Sequence, residues 1–159
     1  MGLNTTAMNR RTVLTKGALT GALAGVALAF AGTVQAAEPT AAEKANLDVV
    51  NQFCAAWKSR DAAKIGAFLH DTCVVRFTAS RDEAKPVLGR QGVTDQIGKY
   101  LAGGPIEFLV QESYVKGPLV INRRVDTVTM ASGKRDIQVV GVFFLRGGKI
   151  KEWLDFDPE

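Results

Sequence analysis

The sequence predicts an α+β domain in which a curved, mostly antiparallel sheet wraps around N-terminal helices. Apolar residues at helical spacing come first, and strand-like segments with glycine turns follow one another at the end. Helices followed by a strand meander are typical of α+β domains. Such a cone encloses a pocket between sheet and helices, which is the expected ligand site. The length of 159 residues, with 47% hydrophobic and 23% charged residues, fits one globular domain and excludes a disordered chain.

Three helices are predicted in the first half of the domain. Asp61 follows a break in the first apolar stripe and is a good N-cap residue, so a second short helix is predicted from there to Leu69. A third is predicted over Gly92–Leu101, because a Gly-Gly-Pro turn at residues 103–105 follows it. The first helix is predicted over residues 40–59 from a helical stripe that consists of Leu47, Val50, Phe53, Cys54 and Trp57.

Five strands are predicted. Residues 72–78 are β-branched and apolar, which is typical of a strand, and a loop that contains Pro86 follows. Four more strands then come one after another, separated by tight turns, and we expect them to pair antiparallel. Their predicted bounds are Ile106–Lys116, Leu119–Met130, Arg135–Leu145 and Lys149–Phe156.

The N-terminal segment has the pattern of an export signal. Arg10 and Arg11 are adjacent, residues 17–37 carry no charge, and small residues lead up to Ala36. This order is typical of a secretory signal, and the twin arginine is typical of the Tat type. The alternative is a membrane anchor, since the uncharged stretch is long enough to span a bilayer, but its glycines weaken such a helix. We expect a signal peptide at residues 1–36, a mature domain at 37–159, and a periplasmic or secreted protein.

The basic character of the chain belongs largely to this signal. The whole sequence has a formal charge of +4 and a pI near 9.2, which suggests an anionic partner. The signal holds three of the 20 basic residues and no acidic one, which leaves 17 basic and 16 acidic residues and a net charge of +1. We therefore expect no nucleic-acid partner and, once the signal is removed, no membrane partner.

Charged residues interrupt one face of the predicted strand Leu119–Met130. Arg124 and Asp126 share a face that is apolar at both ends, and Asp155 lies in the otherwise apolar last strand. A surface ion pair between Arg124 and Asp126 is one interpretation, because such pairs are common. If this face points inward, the arginine needs a buried partner, and the two acids would meet it in the pocket wall.

Five motifs in the C-terminal half of the sequence carry a family resemblance. They are Arg124-Val125-Asp126, Gly133-Lys134, Gly141-Val142-Phe143, Gly148-Lys149-Ile150 and Trp153-Leu154-Asp155-Phe156. This part of the sequence resembles the limonene-1,2-epoxide hydrolase family, and Gly89, Arg90 and Val93 also resemble the entry to the third helix of that family. The resemblance extends in element order over most of residues 45–157 and implies the SnoaL-like, nuclear-transport-factor-like cone.

In that family an Asp-Arg-Asp triad adds water to an epoxide in one step, without a covalent intermediate. The resemblance implies that Arg124 bridges the two acids, that Asp126 protonates the epoxide oxygen, and that Asp155 takes a proton from water. Two carboxylates near one arginine need not titrate alike, so one can act as acid and the other as base. We expect a small hydrophobic substrate in a pocket lined by Val128, Ile137, Val139 and Phe156.

The first predicted strand departs from the family pattern. Family members hold the attacking water with a tyrosine and an asparagine, two residues apart, whereas residues 73–77 here read Cys-Val-Val-Arg-Phe. Asn122 and Arg76 are the candidates to position the water instead. Arg76 close to the triad would favour the ionised form of both aspartates, which opposes the acid role of Asp126.

The cysteines and the histidine give weaker signals. Cys54 and Cys73 are the only cysteines, and they fit either one disulfide in an oxidising compartment or two buried free thiols. His70 is the single histidine, and we expect it at the C-terminal end of the second helix. Because no second histidine or acidic cluster accompanies it, we predict no metal site, and we expect no cofactor.

Two other functions fit the same residues. A SnoaL-like isomerase or cyclase would use one aspartate to move a proton, and the absent tyrosine and asparagine favour it. A periplasmic module that binds a lipophilic ligand without catalysis fits the apolar pocket and the export signal. The outer sheet face, with Ile121, Val125 and Phe144, also indicates a homodimer.

Overall fold

The computed structural model describes residues 38–77 and 85–157, and the predicted signal peptide lies outside them. Helix α1 is Ala41–Ala56 and continues as a 3₁₀ turn over Trp57–Ser59, α2 is Ala62–Gly66, and α3 is Arg90–Ala102. The three predicted helices are therefore all present. Within the described ranges no helix is long and apolar enough to cross a membrane.

Six strands of the described residues form one sheet. They are β1 Leu69–Arg76, β2 Val87–Leu88, β3 Ile106–Lys116, β4 Leu119–Met130, β5 Gly133–Arg146 and β6 Lys149–Phe156. Their order across the sheet is β2-β1-β6-β5-β4-β3. The last four of these strands pair antiparallel in sequence, as predicted, whereas β1 pairs with β6 in parallel. β6 therefore lies inside the sheet, between β1 and β5.

A capping box begins α1 and also connects this helix to the sheet. The Thr40 hydroxyl accepts from the Glu43 amide at 3.2 Å, and the Glu43 carboxylate accepts from the Thr40 amide at 2.7 Å. The second oxygen of Glu43 accepts from the amide of Gly117, in the turn between β3 and β4, at 2.8 Å. These backbone donors lower the pKa of Glu43 to about 2, so it stays ionised and holds the helix start against the turn.

An aromatic cluster fills the space between α1 and the inner face of the sheet. The Phe53 ring contacts Trp153 edge to face at 5.0 Å and Phe143 at 5.9 Å. Trp57, at the end of α1, contacts Trp153 edge to face at 6.1 Å. These rings are almost completely buried and position the polar residues of β4 and β6 beside the core.

The chain enters β1 earlier than the sequence predicts. Asp61 caps α2 as expected, but this helix ends at Gly66, where a side chain would overlap with Thr94 of α3. Leu69 is already buried and pairs with Ile150 of β6. The prediction that His70 ends a helix is consequently wrong, because His70 lies in β1.

Candidate active site

The inner face of β4 carries the polar residues singled out from the sequence. Side chains alternate along a strand, so Val120, Asn122, Arg124 and Asp126 all point inward, and all four are buried. Asp155 is buried on the inner face of β6. The alternative of a surface ion pair between Arg124 and Asp126 is wrong, because the Arg124 side chain is 0% exposed.

Arg124 joins the two aspartates. Its Nε donates to Oδ1 of Asp126 at 2.7 Å, and its Nη2 donates to Oδ2 of Asp126 at 3.1 Å. The same Nη2 donates to Oδ2 of Asp155 at 2.7 Å, and Oδ1 of Asp155 accepts from the Trp153 indole at 2.6 Å. The structure thus brings Arg124, Asp126 and Asp155 together, and these three residues are called the triad below.

The Phe108 ring covers the guanidinium. The Cζ atom of Arg124 lies 4.3 Å from the centre of the Phe108 ring, and Trp57 is stacked on Phe108 with 4.3 Å between the ring centres. Phe108 therefore contacts both Arg124 and Trp57, and the ring and the guanidinium stabilise each other away from water.

Burial dominates the electrostatics of the triad. It raises the pKa of Asp126 to about 6, although the nearby Arg124 charge acts in the opposite direction. Burial also raises the pKa of Asp155, against the hydrogen bonds from Arg124 and Trp153. Burial acts to lower the pKa of Arg124. The two carboxylates together have the larger effect, so the pKa of Arg124 is raised above its ordinary value. A site with one cation and two buried acids is balanced when it keeps one proton, so the two acids titrate as a pair.

A cavity of about 250 Å³, called the inner cavity below, opens beside the triad. Its wall includes both aspartates of the triad, and most of its surface is apolar. Three of the four residues predicted to bind substrate, Val128, Ile137 and Val139, line it. The other residues that line it are Trp57, Phe77, Tyr100, Ile106, Phe108, Trp153 and Asp157.

Two residues predicted for the site lie on the opposite face of the sheet. Phe156 is 37% exposed, because it follows the inward-facing Asp155 on β6 and strand geometry turns it outward. Arg76 is exposed at the end of β1, between the buried Val75 and Phe77, which lines the inner cavity. Arg76 therefore does not face the triad. The prediction that its positive charge lies close to Asp126 and Asp155 is wrong.

Asn122, the other candidate for positioning water, lies behind Arg124. Its Oδ1 accepts from Nη1 of Arg124 at 3.2 Å, and its Nδ2 donates to Sγ of Cys54 at 3.4 Å. It is 0% exposed and contacts the guanidinium on the side away from the aspartates. Asn122 thus holds the arginine rather than a water molecule in the inner cavity.

The cysteines form no disulfide. Cys54 and Cys73 are both buried free thiols, which is one of the two outcomes left open by the sequence. Burial raises the pKa of the Cys54 thiol to about 12, so this thiol is a poor nucleophile near neutral pH. In the described residues no group of His, Cys, Asp and Glu side chains is arranged to hold a metal ion.

Trp57, which lines the inner cavity, carries a buried polar group without a partner. Its side chain is 2% exposed, and within the described part of the chain its indole Nε1 has no hydrogen-bond partner. A buried donor without an acceptor costs free energy that a bound acceptor would recover. Trp57 is therefore a candidate donor to a ligand.

The aromatic wall was missed in the sequence. Trp57 belongs to the helical stripe of α1, and that spacing indicates core packing only. Phe77 and Tyr100 come from separate elements and meet edge to face with 5.1 Å between ring centres. No local spacing connects them with the triad. Trp57, Phe77 and Tyr100 each lie within two residues of the end of a predicted helix or strand, and this was a usable signal.

Comparison with known families identifies the domain. Residues 50–153 match the SnoaL-like domain model, which covers Arg124 and Asp126 and ends two residues before Asp155. The chain belongs to the SnoaL-like family. The predicted cone fold is therefore confirmed, whereas the limonene-1,2-epoxide hydrolase family within this group is not. None of the curated proteins compared with the sequence matches it.

Solved structures share the cone of this SnoaL-like domain at low sequence identity. Bal32a, from a soil-derived mobile gene cassette, is 17% identical with a TM-score of 0.65, over 74% of this chain and 92% of its own. An LEH-like epoxide hydrolase of M. tuberculosis is 20% identical with a TM-score of 0.64, over 73% and 84%. A putative SnoaL-like polyketide cyclase from Jannaschia sp. CCS1 is 17% identical with a TM-score of 0.65, over 76% and 90%. These similarities show the fold alone.

Proposed function

We propose that this SnoaL-like domain adds water to a small hydrophobic epoxide in one step. The observation that carries the proposal is a buried arginine that holds two carboxylates in the wall of an apolar cavity. An epoxide oxygen leaves poorly as an alkoxide, so a positioned acid helps ring opening, and a positioned base makes water a better nucleophile. The M. tuberculosis LEH-like epoxide hydrolase, which shares the fold, supports this reading.

The reaction balances with the triad alone. One carboxylate takes a proton from water as the water oxygen bonds to a ring carbon. The bond from that carbon to the ring oxygen breaks, and the protonated carboxyl gives its proton to this oxygen. The product is a diol. One proton then has to return from the first acid to the second, and Nη2 of Arg124, which donates to both Asp126 and Asp155, keeps the two groups close.

The family resemblance and the hydrogen bonds differ on which acid carries the proton before the reaction. The resemblance assigns this proton to Asp126. The hydrogen bonds favour an ionised Asp126, because both of its bonds come from the cationic Arg124, whereas Asp155 accepts one of its two bonds from a neutral indole. We assign the proton to the pair as a whole, and the amide variants below separate the two roles.

The experiment is hydrolysis in ¹⁸O-labelled water. The protein is incubated with limonene oxide and a panel of small apolar epoxides, and the diol is followed by mass spectrometry. We expect one ¹⁸O atom per diol from the first turnover onward, because no oxygen passes through the protein. Asp126→Asn and Asp155→Asn should each lose at least about 100-fold in rate. Asp136→Asn is the matched control, because Asp136 is an exposed acid on β5.

The pH dependence of the residual activity separates acid from base. A variant that lacks the acid still needs an ionised base, so its residual rate should rise with pH. A variant that lacks the base still needs a protonated acid, so its residual rate should fall with pH. No diol from any epoxide of the panel, or Asp126→Asn and Asp155→Asn variants as active as the Asp136→Asn control, would overturn the proposal.

A SnoaL-like isomerase or cyclase is the second candidate. The inward side chains in the second half of β1 are Cys73 and Val75, and Phe77 follows the strand, so this region has no tyrosine or asparagine to hold a water molecule. The putative polyketide cyclase of Jannaschia sp. CCS1 has the same fold. This function predicts exchange of a carbon-bound hydrogen with deuterated solvent on a ketone substrate, without incorporation of ¹⁸O.

A non-catalytic module that binds a lipophilic ligand is the third candidate, and the apolar wall of the inner cavity supports it. In that case hydrophobic ligands raise the melting temperature, and Asp155→Asn leaves the rise unchanged. For each of the three functions we propose export by the signal at residues 1–36. Processing is tested by N-terminal sequencing of the periplasmic protein, with Arg10→Lys and Arg11→Lys together as the transport-defective variant.

We also propose that the outer face of the sheet pairs with a second copy of the chain. Leu109 and Tyr114 are both 64% exposed there, and Phe144 is 39% exposed, which is unusual for large apolar side chains. Sedimentation should give a dimer mass for the protein, and Phe144→Glu should shift the mass toward that of the monomer. A monomer mass at all concentrations would contradict the pairing.

A further inference from the structure

The structure assigns Gly141 and Asn122 as the positioning residues that hold the Arg124 guanidinium between its two acids. Neither residue has a reactive role in the proposed function, on which the activity arm of the test below rests. Both act through Arg124, one by leaving space for it and the other by accepting one of its hydrogen bonds.

The sheet register shows why Arg124 needs a gap. Asn122 pairs with Gly141 of β5, and Gly141 pairs with Asp155 of β6, so these three residues form one row across three strands. Arg124 pairs with Val139 and therefore starts in the neighbouring row. Its side chain has to lean diagonally across β5 to reach Asp155, and the position that it crosses is residue 141.

A glycine at 141 leaves this path open. A Cβ atom built there would overlap with Nη1 of Arg124, and it would lie 2.7 Å from Oδ1 of Asn122 and 2.8 Å from a ring carbon of Phe143. The backbone of Gly141 is not in the left-handed region that favours glycine. An alanine is consequently acceptable for the backbone, and its cost falls on the side chains above it.

Asn122 fixes the opposite side of the guanidinium. Its Oδ1 accepts from Nη1 at 3.2 Å, while Nε and Nη2 of Arg124 are taken by the aspartates. Its own amide nitrogen donates to Cys54 of α1, which keeps the oxygen directed at the arginine. All three guanidinium nitrogens are therefore bound, and the orientation of the fork follows from contacts on both sides.

This arrangement predicts a coupling that is measurable at the carboxyl groups. The charged groups that act on Asp126 are Arg124 on its own strand and Asp155 on β6, and Asp157 acts on Asp155. When the guanidinium is displaced, the two acids lose its opposing charge while their burial remains. Their apparent pKa values should then rise further, by about one unit or more.

The experiment titrates the aspartates of the full protein by ¹³C NMR in wild type, Gly141→Ala, Asn122→Leu and the double variant. We expect the apparent pKa of the pair to rise by about one unit in each single variant. Both variants act on the same guanidinium, so the double variant should rise by less than the sum. Asn122→Gln keeps an uncharged oxygen acceptor for the arginine, so the values should lie below those of Asn122→Leu.

Two controls separate this role from general damage to the fold. Gly98→Ala places a methyl group 3.9 Å from Ala62, which is ordinary contact, and Ile97→Val is a lesion in the core of α3. Neither should move the titration of the aspartates. Unchanged aspartate pKa values in a folded Gly141→Ala or Asn122→Leu variant, or equal shifts in Ile97→Val, would overturn the inference.

The activity arm is separate. If the wild type hydrolyses an epoxide, the alkaline limb of its pH–rate profile should move to higher pH in Gly141→Ala and Asn122→Leu. The size of this move should equal the pKa shift seen by NMR, and KM should change little. A folded variant whose KM rises with an unmoved profile would contradict the positioning role. If no epoxide is hydrolysed, the proposed function fails, while the NMR titration still decides the role of Gly141 and Asn122.

Discussion

The Nη2 nitrogen of Arg124 lies 2.7 Å from Oδ2 of Asp155, although β4 and β6 are separated by the whole of β5. This contact spans about twice the distance of 4.7–4.9 Å between neighbouring strands. It exists because the arginine side chain is long and because β5 has a glycine at the crossing. Removal of either acid leaves a buried guanidinium with less compensation for its charge.

The stability of the domain should fall as pH rises through the titration of Asp126. The pKa of Asp126 is raised to about 6 in the fold, above its ordinary value of 3.8, so the native state binds more protons between these two values. Native stabilisation by this group is then fully present below about pH 4 and is lost by about pH 6. Melting temperatures of wild type and Asp126→Asn, measured from pH 4 to 7, check this. The excess of wild type over variant should shrink across that interval, and a constant or growing excess would contradict the raised pKa.

The two buried tryptophans of the site should respond differently to the same substitution. Trp57→Phe and Trp153→Phe remove the same volume, but only Trp153 donates a hydrogen bond, to Asp155 at 2.6 Å, whereas the Trp57 donor has no partner within the described residues. We expect Trp153→Phe to cost about 2 kcal/mol more in the free energy of unfolding than Trp57→Phe. Urea denaturation of both variants measures the difference, and equal losses would contradict it.

The same pair of variants separates stability from ligand binding. If the indole of Trp57 donates to a bound acceptor, Trp57→Phe should weaken binding of an oxygen-bearing ligand about 10-fold and leave binding of an isosteric hydrocarbon unchanged. Isothermal calorimetry with limonene oxide and limonene compares the two. An equal loss for both ligands would assign Trp57 to packing only.

Replacement of Phe108 should lower the pKa of Asp126, whereas Gly141→Ala should raise it. The ring contacts both Trp57 and Arg124, and it is 8% exposed. Phe108→Leu should admit water to the guanidinium and the acids, so the pKa of Asp126 should fall from about 6 toward its ordinary value. We expect a loss of about 1–2 kcal/mol in the free energy of unfolding as well. ¹³C NMR titration measures the first effect, and a rise in the pKa would contradict the shielding role.

Loss of the N-cap of α1 should lower the stability of the domain and leave the pKa of Asp126 unchanged. Thr40→Ala removes the hydroxyl that accepts from the Glu43 amide at 3.2 Å, and we expect a loss of about 1 kcal/mol. Thr40→Ser keeps the acceptor and serves as the matched control. Thermal denaturation checks the stability, and the NMR titration of Asp126 should not move in either variant.

The sequence was informative wherever one element decides the outcome. The bounds of β3, β4 and β6 agree with the prediction, because their apolar alternation and the turns between them are local signals. The same alternation put Arg124 and Asp126 on one face but left open whether that face is the surface or the pocket wall, and the structure buries it. The errors fall where distant segments decide. The start of β1 at Leu69 depends on pairing with Ile150, which no local pattern reveals.

The candidate site divides in the same way. Arg124, Asp126 and Asp155 were found through alternation and family motifs. The roles expected for Arg76 and Phe156 failed, because a shift of one residue along a strand turns a side chain to the other face of the sheet. The role of Gly141 could not be predicted from the sequence, because it depends on the path of the Arg124 side chain from β4 across β5.

The place of β6 in the sheet makes the site depend on contacts between distant parts of the chain. β6 follows the other five strands in sequence, yet it is inserted between β1 and β5, and it pairs with β1 across a sequence separation of roughly 80 residues. Asp155 therefore belongs to a strand that is paired on both sides. Loss of the pairing with β1 would turn β6 into an edge strand, so one acid of the triad depends on residues that lie far earlier in the chain.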